Sequence, residues 1–132
     1  MFATTQFTAM SLAFPDVCKT AVGPALVPLP YPNLAQSVTH IPTNFNQYYC
    51  AGSVHNLLTP GTISNGDEAG GLMGVVSNLI ISMDRYVLGS FKLFSGIAPA
   101  ARMTSMTTQN GLIPNTVGFT AVPSINRVLV IG

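Results

Sequence analysis

A proline stands at every second position in the stretch Val27-Pro28-Leu29-Pro30-Tyr31-Pro32-Asn33. Each proline fixes its own φ at about −65° and biases the preceding residue toward extended geometry. We therefore expect a stiff, polyproline-like strand that lies along a surface without a full hydrogen-bonded ladder. A single helical turn is expected directly after it, over residues 33–37.

Short strands and irregular loops are predicted around this stretch. Twelve glycines and ten prolines in 132 residues disfavour long helices. Residues 86–94 are rich in β-branched and aromatic side chains and predict one strand, and residues 125–131 predict a strand buried on both faces. The chain length allows one core. The prediction is a single, mostly β domain over residues 1–132, with short strands and long irregular loops.

Charged side chains are unusually rare. They make up 7% of the chain, against roughly 25% in a typical soluble domain. Residues 1–15, 20–66 and 103–126 contain none. An isolated soluble monomer keeps both signs of charge on its surface, so we expect a membrane or other subunits to cover this one. Residues 69–83 are apolar and uncharged but fall short of the ~20 residues of a membrane span. Protein partners are therefore expected.

The remaining composition excludes further classes of partner. A net charge of +1 gives no electrostatic footprint for nucleic acid. The first residues lack the basic region of a signal peptide, so we expect any export to proceed on a secretion machine. Cys18 and Cys50 are too few for a disulfide framework and fit small buried residues in a reducing compartment.

Four segments carry motifs that belong together. They are Phe14-Pro15-Asp16-Val17-Cys18-Lys19-Thr20 with the proline stretch at Pro28, Pro30, Tyr31, Pro32 and Asn33; Gly66-Asp67-Glu68-Ala69-Gly70-Gly71; Phe91-Lys92-Leu93-Phe94 with Pro99-Ala100-Ala101-Arg102; and Pro123-Ser124 with Val128-Leu129-Val130-Ile131. In this order they resemble the PAAR-like domains of the Pro-Ile-Pro-Tyr type. The resemblance covers essentially the whole chain.

This resemblance implies a small conical β-fold that sharpens the tip of a spike. The spike is the trimeric VgrG-type β-helix of a type VI or related contractile injection system, with one tip per trimer. Members act as bare tips or as adaptors that carry toxic effector proteins, and with its short length this chain resembles a bare tip. The implied location is the bacterial cytoplasm during assembly, followed by export on the spike.

The resemblance also raises the question of zinc. PAAR tips commonly hold a zinc ion through three histidines and one cysteine, whereas this chain offers His40 and His55 with Cys18 and Cys50. Two Cys and two His could form a closed structural site. The alternative is buried thiols and hydrogen-bonded imidazoles, because the four residues lack the short paired spacing of a zinc finger.

No catalytic constellation is apparent, so we expect a protein that is not an enzyme. A Cys–His nucleophile would need an oriented third group, and none is recognisable. Asp67 is expected to hydrogen-bond the backbone of its own turn, and Arg102 is expected to pair with Asp84, Asp67 or backbone carbonyls. Two alternatives stay open: another low-charge assembly subunit, such as a baseplate or capsid component, or a small secreted effector.

Overall fold

The computed structural model describes the whole chain, residues 1–132. Strand residues make up 49% of it and helical residues 2%, which confirms the mostly β prediction. No helix is long and apolar enough to cross a membrane. The elements are β1 Met10–Val22, β2 Ala25–Gln36, a 3-10 turn Ser37–Thr39, β3 Tyr48–Tyr49, β4 Gly52–Ser53, β5 Pro60–Gly61, β6 Ser64–Asn65, β7 Asp84–Tyr86, β8 Ser90–Ser95, β9 Ala98–Ala100, β10 Met106–Gln109 and β11 Thr116–Val122.

The proline stretch is a strand, as predicted, but it pairs with β1 along its whole length. β2 pairs antiparallel with β1 from Met10↔Gln36 to Val22↔Ala25, with one register shift. Alternate residues of an antiparallel strand turn their backbone groups toward the partner. The alternating prolines occupy the other positions, where no N–H is needed for pairing with β1. The prediction of a segment without a full ladder was therefore wrong, because it ignored this alternation.

Residues opposite the prolines confirm their orientation. Pro28 faces Lys19 across the hairpin, and Pro30 faces Val17. The Lys19 N–H turns away from β2 and donates to the Met73 carbonyl at 2.9 Å, and the Val17 carbonyl accepts from Val75 at 3.0 Å. The outer edge of β2 along the prolines therefore offers few N–H donors, which blocks edge-to-edge pairing with another strand.

A seven-stranded antiparallel sheet nearly closes on itself. Its order is β5-β7-β10-β11-β1-β2-β6, so its two edge strands are neighbours along the chain. Only Thr62 and Ile63 separate β5 from β6. The Ser64 N–H also donates to the carbonyl of Ser82, just before β7, at 3.0 Å. Two small hairpins, β3–β4 and β8–β9, lie outside this sheet.

The interior of the sheet is polar. Of 41 buried residues, 23 are polar or charged and only 12 are hydrophobic, most of these alanine. One interior row shows the pattern, because Ser11 lies opposite both Thr120 and Ala35, and all three are buried. Small hydroxyl and methyl side chains therefore fill the space between the strands.

Larger apolar side chains lie on the outside of the same strands. Leu12 lies opposite both Phe119 and Leu34, and Phe119 lies opposite Met106. These four residues form a continuous line across β10, β11, β1 and β2, which we call the apolar row. Met106 is 43% exposed, Phe119 48% and Leu34 36%, and Leu12 is half-buried.

Two predicted strands differ from the structure. The strand predicted over residues 86–94 is divided, because β7 ends at Tyr86 and β8 begins at Ser90. The strand predicted over residues 125–131 was wrong: this segment makes only an isolated bridge between Phe2 and Leu129, and Leu129 is 63% exposed. Only Ile125 and Val130 of this segment are buried, so the run of β-branched residues did not indicate a strand buried on both faces.

The close packing of β11 against β1 makes a first prediction. A Cβ added at Gly118 would fall on the Leu12 carbonyl oxygen and lie 2.7 Å from the Ala13 Cα, which are backbone atoms. We expect Gly118→Ala to lower the free energy of unfolding by roughly 1–3 kcal/mol in urea denaturation. Gly71→Ala is the matched control, since a Cβ there meets nothing within 4 Å. Equal unfolding midpoints for the two variants would contradict the described register.

Candidate functional site

The Pro99-Ala100-Ala101-Arg102 segment packs closely against the backbone of residues 55–57. The Ala101 N–H donates to the His55 carbonyl at 2.9 Å, and the Pro99 carbonyl accepts from Leu57 at 3.1 Å. Ala100 and Ala101 are fully buried. Because side chains larger than a methyl group would hold the two segments apart, alanine is the residue type that this crossing requires.

Arg102 does not make the predicted ion pair. Its half-buried side chain forms neither a hydrogen bond nor an ion pair, and the one close contact between an acidic and a basic side chain joins Asp84 and His40. Asp67, the other predicted partner, accepts from Asn110 instead. The expected pairing failed because both carboxylates already face partners inside the protein.

A first buried cluster contains Asp16, Cys18 and Asp67, and we call it the aspartate cluster. The Cys18 Sγ lies 3.8 Å from Asp16 Oδ1 and 3.9 Å from Asp67 Oδ2. All three side chains are fully buried. Asp16 and Cys18 are two apart on β1, so both point to the same face of the strand. Asp67 comes from the turn that follows β6.

Asparagine amides surround these carboxylates. Asn33 donates to Asp16 Oδ2 at 2.7 Å, and Asn115 donates to Asp16 Oδ1. Asn110 donates to both Asp16 and Asp67 at 2.5 Å. The sequence analysis missed Asn110 and Asn115, which lie 94 and 99 residues from Asp16. In the sequence, the Asn110-Gly111 pair is typical of a turn and does not indicate a partner for Asp16.

Two adjacent carboxylates, Asp67 and Glu68, contact the turn that follows β6. The Gly66 N–H donates to Glu68 Oε2 at 2.8 Å, so Glu68 stabilises the turn. Asp67 points inward, and burial raises the pKa of its carboxyl group, although hydrogen bonds from Asn110 and from the backbone of Asp67 and Ile81 partly offset this. Asp67 therefore contacts its own backbone, as predicted, but it also belongs to a buried cluster that the sequence did not reveal.

The Cys18 thiol is poorly suited to act as a nucleophile. Burial, together with the nearby carboxylates of Asp16 and Asp67, raises its pKa to about 12. A reactive cysteine needs a lowered pKa and an electropositive surrounding. In the absence of a bound cation, this thiol stays protonated at neutral pH.

A second buried cluster contains His40, His55, Asp84 and Tyr86, and we call it the histidine cluster. The two imidazole rings are stacked with centroids 5.2 Å apart. His40 Nε2 lies 3.0 Å from Asp84 Oδ2, and both side chains are fully buried. The angles of this contact do not make a hydrogen bond, so neither oxygen of Asp84 accepts one.

The hydrogen bonds of His55 determine its tautomer. The Tyr86 hydroxyl lies 3.2 Å from His55 Nδ1, and Gln6 Oε1 lies 2.9 Å from His55 Nε2. Gln6 Nε2 donates to the His40 carbonyl at 2.7 Å, which places Gln6 Oε1 as the acceptor from His55. Tyr86 is then the donor to His55. Burial lowers the pKa of His55 to about 3, with a smaller effect of His40, so the ring is neutral.

The four residues considered for zinc lie in three places. His40 and His55 share the histidine cluster, Cys18 lies in the aspartate cluster, and Cys50 is exposed. Both ring nitrogens of His55 are engaged in hydrogen bonds. This set therefore does not fit a zinc site of the His-and-Cys type, and no chemistry is derived from one.

The sheet and its two polar clusters define a small β-domain organised around buried hydrogen-bonded side chains. A family model described as "Toxin PAAR-like domain" matches residues 9–118, which include the whole aspartate cluster. The chain belongs to the Toxin PAAR-like domain family, as its motifs predicted. This makes it a PAAR-type, tip- or toxin-related domain, and such a domain implies a spike-associated partner in general. Comparisons with curated proteins and with solved structures found no match.

The neutral His55 gives a prediction about pH. Its pKa in the folded protein, about 3, lies below the ordinary value of 6.5, so the unfolded chain binds the proton first as the pH falls. Stability contributed by neutral His55 is complete above pH 6.5 and is lost between 6.5 and about 3. Between about pH 7 and about pH 5, we expect the wild type to lose about 2 kcal/mol more than His55→Gln.

His55→Gln is the reference protein because both proteins contain Asp67, whose contribution to the pH dependence of stability has the opposite sign. The raised pKa of Asp67 lets the folded state bind a proton before the unfolded state does, which favours folding as the pH falls. Urea denaturation of both proteins at the two pH values measures the difference between their slopes. Identical pH dependence in the two proteins would mean that His55 is not held neutral by burial.

Proposed function

We propose that this chain is a non-enzymatic tip protein that caps the trimeric VgrG-type spike of a type VI or related contractile injection system, with one chain per trimer. The observation that carries the proposal is the apolar exterior of the sheet, above all the apolar row. Contiguous exposed apolar surface on a soluble protein marks a site of interaction. Membership in a PAAR-like family supports a spike as the partner.

Charge on the exterior also supports a protein partner. Three of the four acidic residues, Asp16, Asp67 and Asp84, are fully buried. The outside therefore keeps five basic side chains and one acidic one, Glu68. A soluble protein normally carries many charged side chains of both signs on its surface, and this exterior carries few. A partner that covers the apolar row shields its side chains from water.

The proline edge of β2 fits a terminal position. A protein that ends a filament must bind the filament below it without presenting a new strand edge above. Pro28 and Pro30 remove N–H donors from the outer edge of β2, which discourages addition of another strand. This property suits a cap and would be a handicap in a repeating subunit.

Burial of the reactive groups supports a structural role. Cys18 lies inside the sheet with a pKa of about 12, and His55 is held by two hydrogen bonds. We further propose that the chain assembles with the spike in the bacterial cytoplasm and leaves the cell on it. Carriage of effector proteins would be an additional use of the same tip.

Co-purification with a VgrG-type spike protein from the same organism tests the proposal. We expect native mass spectrometry to give one chain per spike trimer. Phe119→Lys and Met106→Lys should weaken binding at least roughly tenfold, because each places a charge in a surface that becomes buried. Leu112→Lys is the control: it makes the same change at an exposed apolar residue outside the apolar row.

Other outcomes distinguish the rival functions. Rings or shells of this chain alone would favour a baseplate or capsid subunit. Full binding by Phe119→Lys together with loss of binding by Leu112→Lys would move the interface away from the apolar row. Absence of any complex with the spike would reject the tip function.

A further inference from the structure

The aspartate cluster is a closed anionic site with no cationic side chain. Asp16 and Asp67 are fully buried, and neither forms an ion pair with Lys, Arg or His. Asn110 bridges them through one amide nitrogen, at 2.5 Å from each carboxylate. Buried charges in proteins are normally paired or bound to a metal ion. The asparagine amides hydrogen-bond these carboxylates but carry no charge, so a shared proton or a bound cation is the group that would neutralise them.

The three candidate ligand atoms are spaced for a metal ion. The carboxylate oxygens and the Cys18 sulfur all lie within 4.8 Å of one another. The two contacts of the sulfur are 3.8 Å and 3.9 Å. Tetrahedral zinc with bonds of about 2.0–2.3 Å holds its ligand atoms roughly 3.3–3.5 Å apart. The two sulfur–oxygen distances exceed this range by only a few tenths of an ångström.

A second observation points into the same site. The fully buried Asn33 side chain donates to Asp16 through Nδ2, while its Oδ1 has no hydrogen-bond partner. An unsatisfied buried oxygen is costly. A cation in the aspartate cluster would satisfy Asn33 Oδ1, because the same side chain already contacts Asp16.

We propose that Asp16, Cys18 and Asp67 hold one zinc-class divalent cation, with the Asn33 carboxamide oxygen as the fourth ligand. Binding forms the metal–sulfur bond with the Cys18 thiolate, and the thiol proton passes to solvent. The site is structural, because all four positions are then filled by the protein. It is independent of the tip function and uses neither histidine.

The loop that contains Gly70 covers the aspartate cluster. A Cβ at Gly70 would overlap the Cβ of Cys18, so this loop packs directly against Cys18. The cluster has no exposed atom through which an ion could pass in the folded state. Metal binding is therefore coupled to folding, as in other small proteins with structural zinc.

Refolding the full chain with Zn²⁺ tests this site. After removal of free metal, we expect about one zinc per chain in the wild type and less than about a tenth of that in Cys18→Ser and Asp67→Asn. Cys50→Ser is the matched control, since Cys50 is exposed and outside the cluster, and it should keep its zinc. Zinc retained equally by Cys18→Ser and the wild type would overturn the proposal.

A second measurement covers the case in which the cluster variants do not fold. The Cys50→Ser protein, whose only thiol is Cys18, is refolded with Co²⁺ alone. We expect a thiolate-to-cobalt charge-transfer band in the near ultraviolet, with about one Co²⁺ per chain. A folded protein with no bound cobalt and no such band would overturn the metal site and leave a proton shared between the carboxylates.

Discussion

Three buried aspartates govern what the inside of this protein can contain. Each of Asp16, Asp67 and Asp84 is removed from water, and an isolated buried carboxylate would cost far more than a small domain can offset. Amide groups surround the first two, and His40 lies against the third. The space between the strands is therefore given to hydrogen-bonding side chains and to small residues that fit around them. Little room remains there for leucine or phenylalanine.

The apolar side chains consequently lie outside, and the proposed function rests on their position. The apolar row of Met106, Phe119, Leu12 and Leu34 crosses four strands without a charge. A family of PAAR-like domains implies a spike as the neighbour, and the exterior has the composition of a surface that is covered in use. Buried polar side chains, rather than a large apolar core, fill the interior of this domain.

The sequence predicted the fold class but not which face of each strand is buried. The abundance of glycine and proline indicated short strands, the low charge indicated partners, and the ordered motifs indicated the family. Alternation along a strand, as in Ser11 and Leu12, reveals two faces without saying which one is inside. The general preference for buried leucine would place Leu12 inside, whereas Ser11 is the buried residue of the two. The aspartate cluster was also inaccessible, because Asn110 approaches Asp16 across 94 residues of sequence and only the sheet topology brings them together.

The proposition that a partner covers the apolar exterior can be measured directly by oxidative footprinting with mass spectrometry. Met106 lies in the apolar row, and Met73, similarly exposed, lies in the loop that follows Gly70. The account predicts that both methionines are oxidised in the free chain and that Met106 is protected when the chain is bound to its spike. Equal oxidation of Met106 in the free and the bound protein would contradict it.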